Sequence, residues 1–271
     1  MSKPLTTHAR LLATAFGAAL LGAGLFACPP ATAQDSGSSA TGQALRADAQ
    51  TIRIVEAAQG FLDGLTGEQR TTALFAFTDR EQRVRWSNLP EGLFERKGLR
   101  WRELADGQRA ALMNLLGQVL SPRGLRMVEQ QLAADDLLKN AGLKEAVVDW
   151  LYGIDRGRDY YYVAFLGEPS TTKPWTLQFG GHHLAINATV VGPHVTLSPT
   201  LTGGHPVRFM MEGEQVDMVG GEVAAATGLF NSLTDQQLRK AWIDRERIDL
   251  VAGPGQDGQA PRPEGLPGRE M

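Results

Sequence analysis

Two adjacent histidines, His182 and His183, are the residues of this sequence best suited to chemistry. They directly follow Gly180-Gly181 and begin a run of β-favouring residues. Imidazole side chains bind metal ions and transfer protons near neutral pH, so they are frequent in functional sites. Side chains alternate between the two faces of a regular strand, which predicts that His183 shares a face with Asn187 and that His182 faces the apolar layer.

This alternation leaves two interpretations open. In the structural interpretation, one ring nitrogen of His182 is hydrogen-bonded against the apolar layer, while His183 and Asn187 hydrogen-bond across the sheet. In the functional interpretation, His183, Asn187 and His205 bind a small ligand, provided that the turn carrying His205 folds back toward His183. His182 and His183 are also candidate ligands for zinc, copper or iron, but both reach one ion only if Gly180-Gly181 forms a β-bulge.

Motifs of several large enzyme classes are missing from the sequence. It contains no G-x-S-x-G nucleophile elbow, no H-E-x-x-H zinc motif and no glycine loop ending in Lys-Ser or Lys-Thr. Catalytic groups are assembled in space, so this absence leaves enzymatic activity open. We expect a ligand-binding or envelope-associated module, with a secreted metal-assisted hydrolase or oxidase that uses His182 and His183 as the alternative.

The first 33 residues have the three parts of a secretory signal peptide. Lys3 and Arg10 precede an apolar run from Leu11 to Phe26, and the small-residue triplet 31–33 (Ala-Thr-Ala) predicts cleavage before Gln34. We therefore expect a secreted or periplasmic protein with no membrane span after cleavage. The alternative is a lipoprotein signal that uses Cys28. Cys28 is the only cysteine, so the mature chain would contain no disulfide and no thiolate.

The charge pattern argues against a nucleic-acid partner. The formal net charge is −3, and basic residues alternate with acidic ones, as in Asp79-Arg80-Glu81. Proteins that bind nucleic acid need clustered Lys and Arg to neutralise phosphates. The expected partner is therefore a small ligand or a component of the cell envelope.

Hydrophobic periodicity predicts an α+β fold with a helical N-terminal half, a central antiparallel sheet and returning C-terminal helices. Ser121-Pro122 supplies a cap and a first-turn proline for one helix, and Thr66 with Gln69 forms a capping box for another. A short hairpin is predicted from 74–77 and 83–86. The predicted strands of the sheet are 160–165, 175–179, 183–191, 195–197 and 207–210.

Composition divides the chain into four parts. After the signal peptide, residues 34–44 are small and polar, which predicts a flexible lead. Residues 45–252 are predicted to form a single α+β domain. Residues 253–271 are rich in Pro and Gly, which predicts a disordered tail.

The chain resembles the secreted proteins grouped as domain of unknown function 3500. The resemblance extends from Phe61 to Ala241 and is carried by four segments taken together. It implies export and an α+β fold, and it implies no established activity or cofactor. It also implies a C-terminus shorter than that of the family, whose members continue with a further helix and a His-x-His segment. The four segments are WSNLP (86–90), LSPRG (120–124), FLGEP (165–169) and WTLQFGGHHL (175–184).

Overall fold

The computed structural model describes residues 46–140, 149, 151, 153–243 and 264–271. The predicted signal peptide and flexible lead, together with residues 253–263 of the predicted tail, lie outside the described residues. Among the residues that are described, no helix is long and apolar enough to cross a membrane.

The N-terminal half is helical, as predicted, and local capping sets where its helices begin. The Asp48 side chain accepts the Thr51 amide, Thr66 and Gln69 form the predicted capping box, and Ser121 caps the helix that starts at Pro122. The helices are α1 (Ala49–Asp63), α2 (Gly67–Ala73), α3 (Arg80–Arg83), α4 (Asp106–Val119) and α5 (Pro122–Lys139).

The hairpin predicted from 74–77 and 83–86 is wrong. Strand β1 (Leu74–Phe75) pairs in parallel with a later strand, and the segment expected to pair with it begins in α3 instead. The cause is local, because the Asp79 carboxylate accepts the Gln82 amide at 2.9 Å and starts a helix there.

The central sheet has six strands and is mixed. Its last four strands form an antiparallel meander, as predicted, but the predicted fifth strand (207–210) belongs to a separate two-stranded sheet. The first two strands both pair with one edge of the third, the first in parallel and the second antiparallel. The strands after β1 are β2 (Leu99–Arg100), β3 (Tyr162–Leu166), β4 (Trp175–Gly181), β5 (Leu184–Val191) and β6 (His194–Thr202).

The two faces of this sheet differ in chemistry. One face is apolar and shares the main hydrophobic core with α1 and α4; Phe165, Trp175 and Ile186 lie there. The other face is polar although it is largely buried. On it Thr176 and Thr189 are joined by a hydrogen bond of 2.9 Å.

The C-terminal part contains a two-stranded hairpin and the returning helices. The hairpin consists of β7 (Arg208–Met211) and β8 (Glu214–Asp217), and the helices are α6 (Gly220–Ser232) and α7 (Asp235–Ala241). Neither α6 nor α7 contains a buried residue. Of the predicted disordered tail, the described residues 264–271 include a 3-10 turn whose Glu270 carbonyl accepts a hydrogen bond from Gln237 at 2.7 Å.

Candidate functional site

The two histidines form the turn between β4 and β5, whereas the sequence predicted that they begin the strand. Gly181 and Leu184 are the last paired residues, so His182 and His183 are the two residues of the connection. His183 has a φ of +59°, in the left-handed region that few non-glycine residues occupy. The predicted placement of the two rings on opposite faces of a strand is therefore wrong.

Gly180-Gly181 stays in register with β5, so the glycines do not form the β-bulge that shared metal binding by His182 and His183 would require. Glycine is required at both positions because neighbouring atoms leave no room for a Cβ atom. A Cβ atom at Gly180 would lie 2.4 Å from the Leu184 carbonyl oxygen, and one at Gly181 would lie 2.8 Å from the Tyr161 ring. The register of the sheet shifts instead at Asn187, between β5 and β6.

The rings of His182 and His183 lie against each other, with centroids 3.9 Å apart and planes inclined by 33°. Imidazole lone pairs lie in the plane of the ring, so nearly stacked rings direct their nitrogens side by side rather than toward one point. No cluster of three or more His, Cys, Asp or Glu side chains that could hold a metal ion occurs in the described part of the chain.

A buried carboxylate holds His182. The Nδ1 nitrogen of His182 lies 2.7 Å from Oδ1 of Asp135, and the other Asp135 oxygen accepts the Gly157 amide at 3.0 Å. The carboxylate accepts, so Nδ1 carries a hydrogen, and in the neutral form of the ring Nε2 is the acceptor nitrogen. The carbonyl of His182 accepts hydrogen bonds from the Tyr161 hydroxyl at 2.7 Å and from Gln131 at 3.3 Å. The structural expectation of a hydrogen-bonded ring nitrogen is confirmed for His182.

His183 is half-buried, and its backbone connects the turn to two loops. Its amide donates to the Asn88 carbonyl at 3.0 Å, and its carbonyl accepts the Gly203 amide at 2.8 Å. Burial of the ring is the largest cause that lowers the pKa of His183, to about 4, and the adjacent His182 adds to this effect. His183 is therefore a neutral imidazole at neutral pH.

The other two predicted ligand residues lie in different surroundings. His205 is exposed, and its loop folds back toward the turn, so that its charge contributes to lowering the pKa of His183. Asn187 is buried on the polar face of the sheet, where it accepts a hydrogen bond from Gln178 at 2.9 Å and donates one to the Pro199 carbonyl at 2.8 Å. The expectation that Asn187 hydrogen-bonds across the sheet is confirmed, whereas His183 lies in the turn and not in the sheet.

The sequence interpretation missed Asp135 and Gln131, although a signal for both is present. They lie on α5 at helical spacing from the buried residues Val128 and Leu132, so they occupy the apolar stripe of the helix. Polar residues on a stripe of that kind must find partners in the interior. Their partners belong to the turn at His182.

Two of the segments that carried the family resemblance meet at this turn. The segment 86–90 supplies the Asn88 carbonyl that accepts the His183 amide, and Arg96 donates to carbonyls of both segments, at Ser87 and Gly181. A search of curated proteins and a search of solved structures each found no match. The profile of a family described as protein of unknown function (DUF3500) matches residues 47–271. Since this match covers most of the chain, the protein belongs to that family.

Proposed function

We propose that this protein is an exported ligand-binding protein and that the His182-His183 turn is its binding site. The observation that carries the proposal is the buried Asp135-His182 pair at 2.7 Å, which lies directly behind the half-exposed ring of His183. Burying a carboxylate costs free energy that its hydrogen bonds must offset. Stability alone therefore does not explain why a carboxylate and two imidazoles gather at one turn.

The hydrogen-bonding groups at the turn favour a ligand that donates hydrogens. In the neutral form of His182, Nε2 is the acceptor because Nδ1 donates to Asp135, and neutral His183 has one acceptor nitrogen. Oδ1 of Asn88 is a further acceptor, buried and without a hydrogen-bond partner among the described residues. A small molecule with hydroxyl or amine donors matches this set, and His205 in the neighbouring loop can close over it.

A metal-assisted hydrolase or oxidase is the second candidate, and Asp135 also favours it. Histidines that bind zinc, copper or iron commonly donate their other ring N–H to a carboxylate, as His182 does. The low pKa of His183 keeps that ring free to bind a cation. The ring arrangement opposes this candidate, because the two imidazoles lie face against face, tilted by 33°, and one of them must rotate before both nitrogens reach one ion.

Export is part of the proposal and rests on the N-terminal segment of the sequence. The basic start, the apolar run and the triplet 31–33 support cleavage before Gln34 and release to the periplasm or the medium. An envelope component is then a further expected partner.

NMR spectra of protein with labelled histidine side chains test the site. The purified protein is titrated with glycerol, glucose and ethanolamine, and separately with zinc, copper(II) and iron(II) salts. We expect saturable shifts of the His182 and His183 signals with one of the organic probes, and the shift of the His182 signals should be lost in His183→Gln while the melting temperature is retained. His194→Gln is the matched control, because His194 is exposed and pairs with Val191 at the far end of β5.

The metal titrations distinguish the two candidates. Stoichiometric binding of one metal, lost in both His182→Gln and His183→Gln, would replace the ligand-binding proposal by the metal-assisted enzyme. If neither the organic probes nor the metals change the His183 signals, the turn is structural and the proposal is wrong.

A further inference from the structure

A groove on the polar face of the sheet has chemistry that the histidine turn does not use. Its volume is about 110 Å³, and one water molecule needs about 10–15 Å³ of such space, so the groove has room for roughly nine waters or a single sugar ring. Strands β4 and β5 form its floor, the segment 83–86 forms one wall, and Ser198 and Pro199 of β6 form the other. Thr189 on the floor follows His183 by six residues, or about 20 Å of strand, so the groove is separate from the histidine turn.

The floor consists of hydroxyl and amide side chains that are fixed by one another. Thr176 pairs with Thr189 across the strands, and their hydroxyl oxygens lie 2.9 Å apart. Gln178 pairs with Asn187 and donates to its side-chain oxygen at 2.9 Å. One of the two threonine hydroxyl hydrogens is used between them, so the other remains for a ligand, and both oxygens can accept further hydrogens. This floor suits a ligand whose groups both donate and accept, as sugar hydroxyls do.

Hydrogen bonds to the floor hold both walls of the groove in position. Gln178 donates to the Arg83 carbonyl at 3.2 Å, and Asn187 donates to the Pro199 carbonyl at 2.8 Å. The groove is therefore formed before a ligand enters, and binding does not have to order either wall.

Trp86 and Pro199 give the groove an apolar surface in each wall. Trp86 is partly exposed, and its indole N–H has no hydrogen-bond partner in the described part of the chain. The hydroxyl of Ser198 is exposed and also lacks a partner among the described residues. A sugar ring has C–H groups on its faces and hydroxyls at its edge. An aromatic ring packs against the C–H groups, and hydroxyl and amide side chains bind the hydroxyls.

The charges in the groove favour a neutral ligand. Its described walls contain no Asp or Glu, and Arg83 is the one charged residue among them. The guanidinium of Arg83 lies over the Phe77 ring, 4.7 Å from its centroid, and donates to the Phe77 carbonyl. Because Phe77 engages this guanidinium, the floor itself is uncharged, and a neutral molecule fits it better than an ion.

We propose that this groove binds a neutral pyranose sugar. One face of the sugar ring packs against Trp86, and hydroxyls at the edge of the ring bond to Thr189 and Ser198. This binding is independent of ligand binding at the histidine turn.

Saturation-transfer difference NMR with the full protein tests the proposal. The probes are methyl β-glucoside, methyl α-mannoside and N-acetylglucosamine. We expect saturable transfer to the C–H protons on one ring face of at least one of these sugars, and Trp86→Ala should abolish it. Trp242→Ala is the matched control, because Trp242 is a tryptophan 72 % exposed outside the groove, and it should leave the transfer unchanged.

A second variant covers the case in which Trp86→Ala fails to fold. Thr189→Val keeps the shape of a partly exposed side chain and removes its hydroxyl, so it should weaken sugar binding by at least about threefold. Unchanged binding in either folded variant, or no saturable transfer to any of the three sugars, would overturn the proposal.

The variant His183→Gln separates this proposal from the proposed function. It should leave sugar binding in the groove intact. Sugar binding that is lost in His183→Gln and retained in Trp86→Ala would instead support binding at the histidine turn and overturn the proposal for the groove.

Discussion

The Nδ1 nitrogen of His182 lies 2.7 Å from Oδ1 of Asp135, across 47 residues of sequence. The side chains are only 7 % and 1 % exposed, and they join the β4–β5 turn to helix α5. The same carboxylate also accepts the amide of Gly157, so one residue of α5 organises two separate loops. This contact gives the two histidines different roles, since His182 is held in the interior and His183 faces outward.

Replacing His182 should therefore lower the stability of the fold. His182→Ala removes the imidazole that donates to the buried Asp135 carboxylate, and an unsatisfied buried polar group costs about 1–3 kcal/mol. Urea unfolding followed by circular dichroism measures the change. His194→Ala is the control and should change the unfolding free energy by less than about 0.5 kcal/mol, because His194 is exposed. Equal effects of the two substitutions would contradict the structural role of His182.

The effect of a substitution at His183 on stability should depend more on the backbone conformation of this residue than on the contacts that are lost. Its φ of +59° is accessible to glycine without strain, so His183→Gly should retain or raise stability by up to about 1 kcal/mol. His183→Val should destabilise, because β-branched residues rarely adopt this conformation. Thermal unfolding of both variants checks this order. If valine is tolerated as well as glycine, the turn is not left-handed at this position.

Stability should fall on acidification because of His183. The folded-state pKa is lowered from 6.5 to about 4, so between these values the unfolded chain binds a proton that the folded chain does not. The contribution of His183 to the free energy of unfolding is complete above pH 6.5 and is lost as the pH falls from 6.5 to about 4. After allowance for solvent screening of the half-exposed ring, the loss is about 1 kcal/mol. Urea midpoints at pH 7.5 and pH 4.5 measure it, and His183→Gln should remove this part of the pH dependence.

The exported protein should begin at Gln34. Intact-mass analysis of material from the periplasm or the medium should show loss of residues 1–33, because cleavage is expected after the triplet 31–33. A mass that includes diacylglycerol on Cys28 would instead show a lipoprotein. An Ala33→Asp substitution should block processing at this position.

Helix α6 should make the protein prone to self-association. It contains Val223, Leu229 and Phe230, each about half exposed, and it has no buried residue. Soluble monomers rarely expose large apolar patches, so we expect binding of a hydrophobic dye and a concentration-dependent dimer. Phe230→Asp should weaken both without changing the free energy of unfolding. A monomer at high concentration that binds no dye would contradict this expectation.

Local interactions account for what could be predicted from the sequence. The capping box of Thr66 and Gln69 and the cap at Ser121 act within four residues, and both are present in the structure. The strands of the meander were predicted from their β-favouring residues and turn signals, and the alternation of Leu184 and Ile186 places both in the core. The α+β order follows from these patterns, because each depends on neighbours along the chain.

Tertiary packing decided which residues meet at the candidate site. The alternation of side chains along β5 could not predict where that strand begins. It begins at Leu184 because Leu184 pairs with Gly181 at the end of β4, and this pairing leaves both histidines in the turn. Asp135 comes to His182 only when α5 packs beside that turn, and Arg96 reaches the Gly181 carbonyl across 85 residues. The sequence by itself determined the α+β order, the helix caps and the residue types available for chemistry. Which of those residues meet depends on contacts between distant segments, whose free energy is set by burial and hydrogen bonding in the assembled fold.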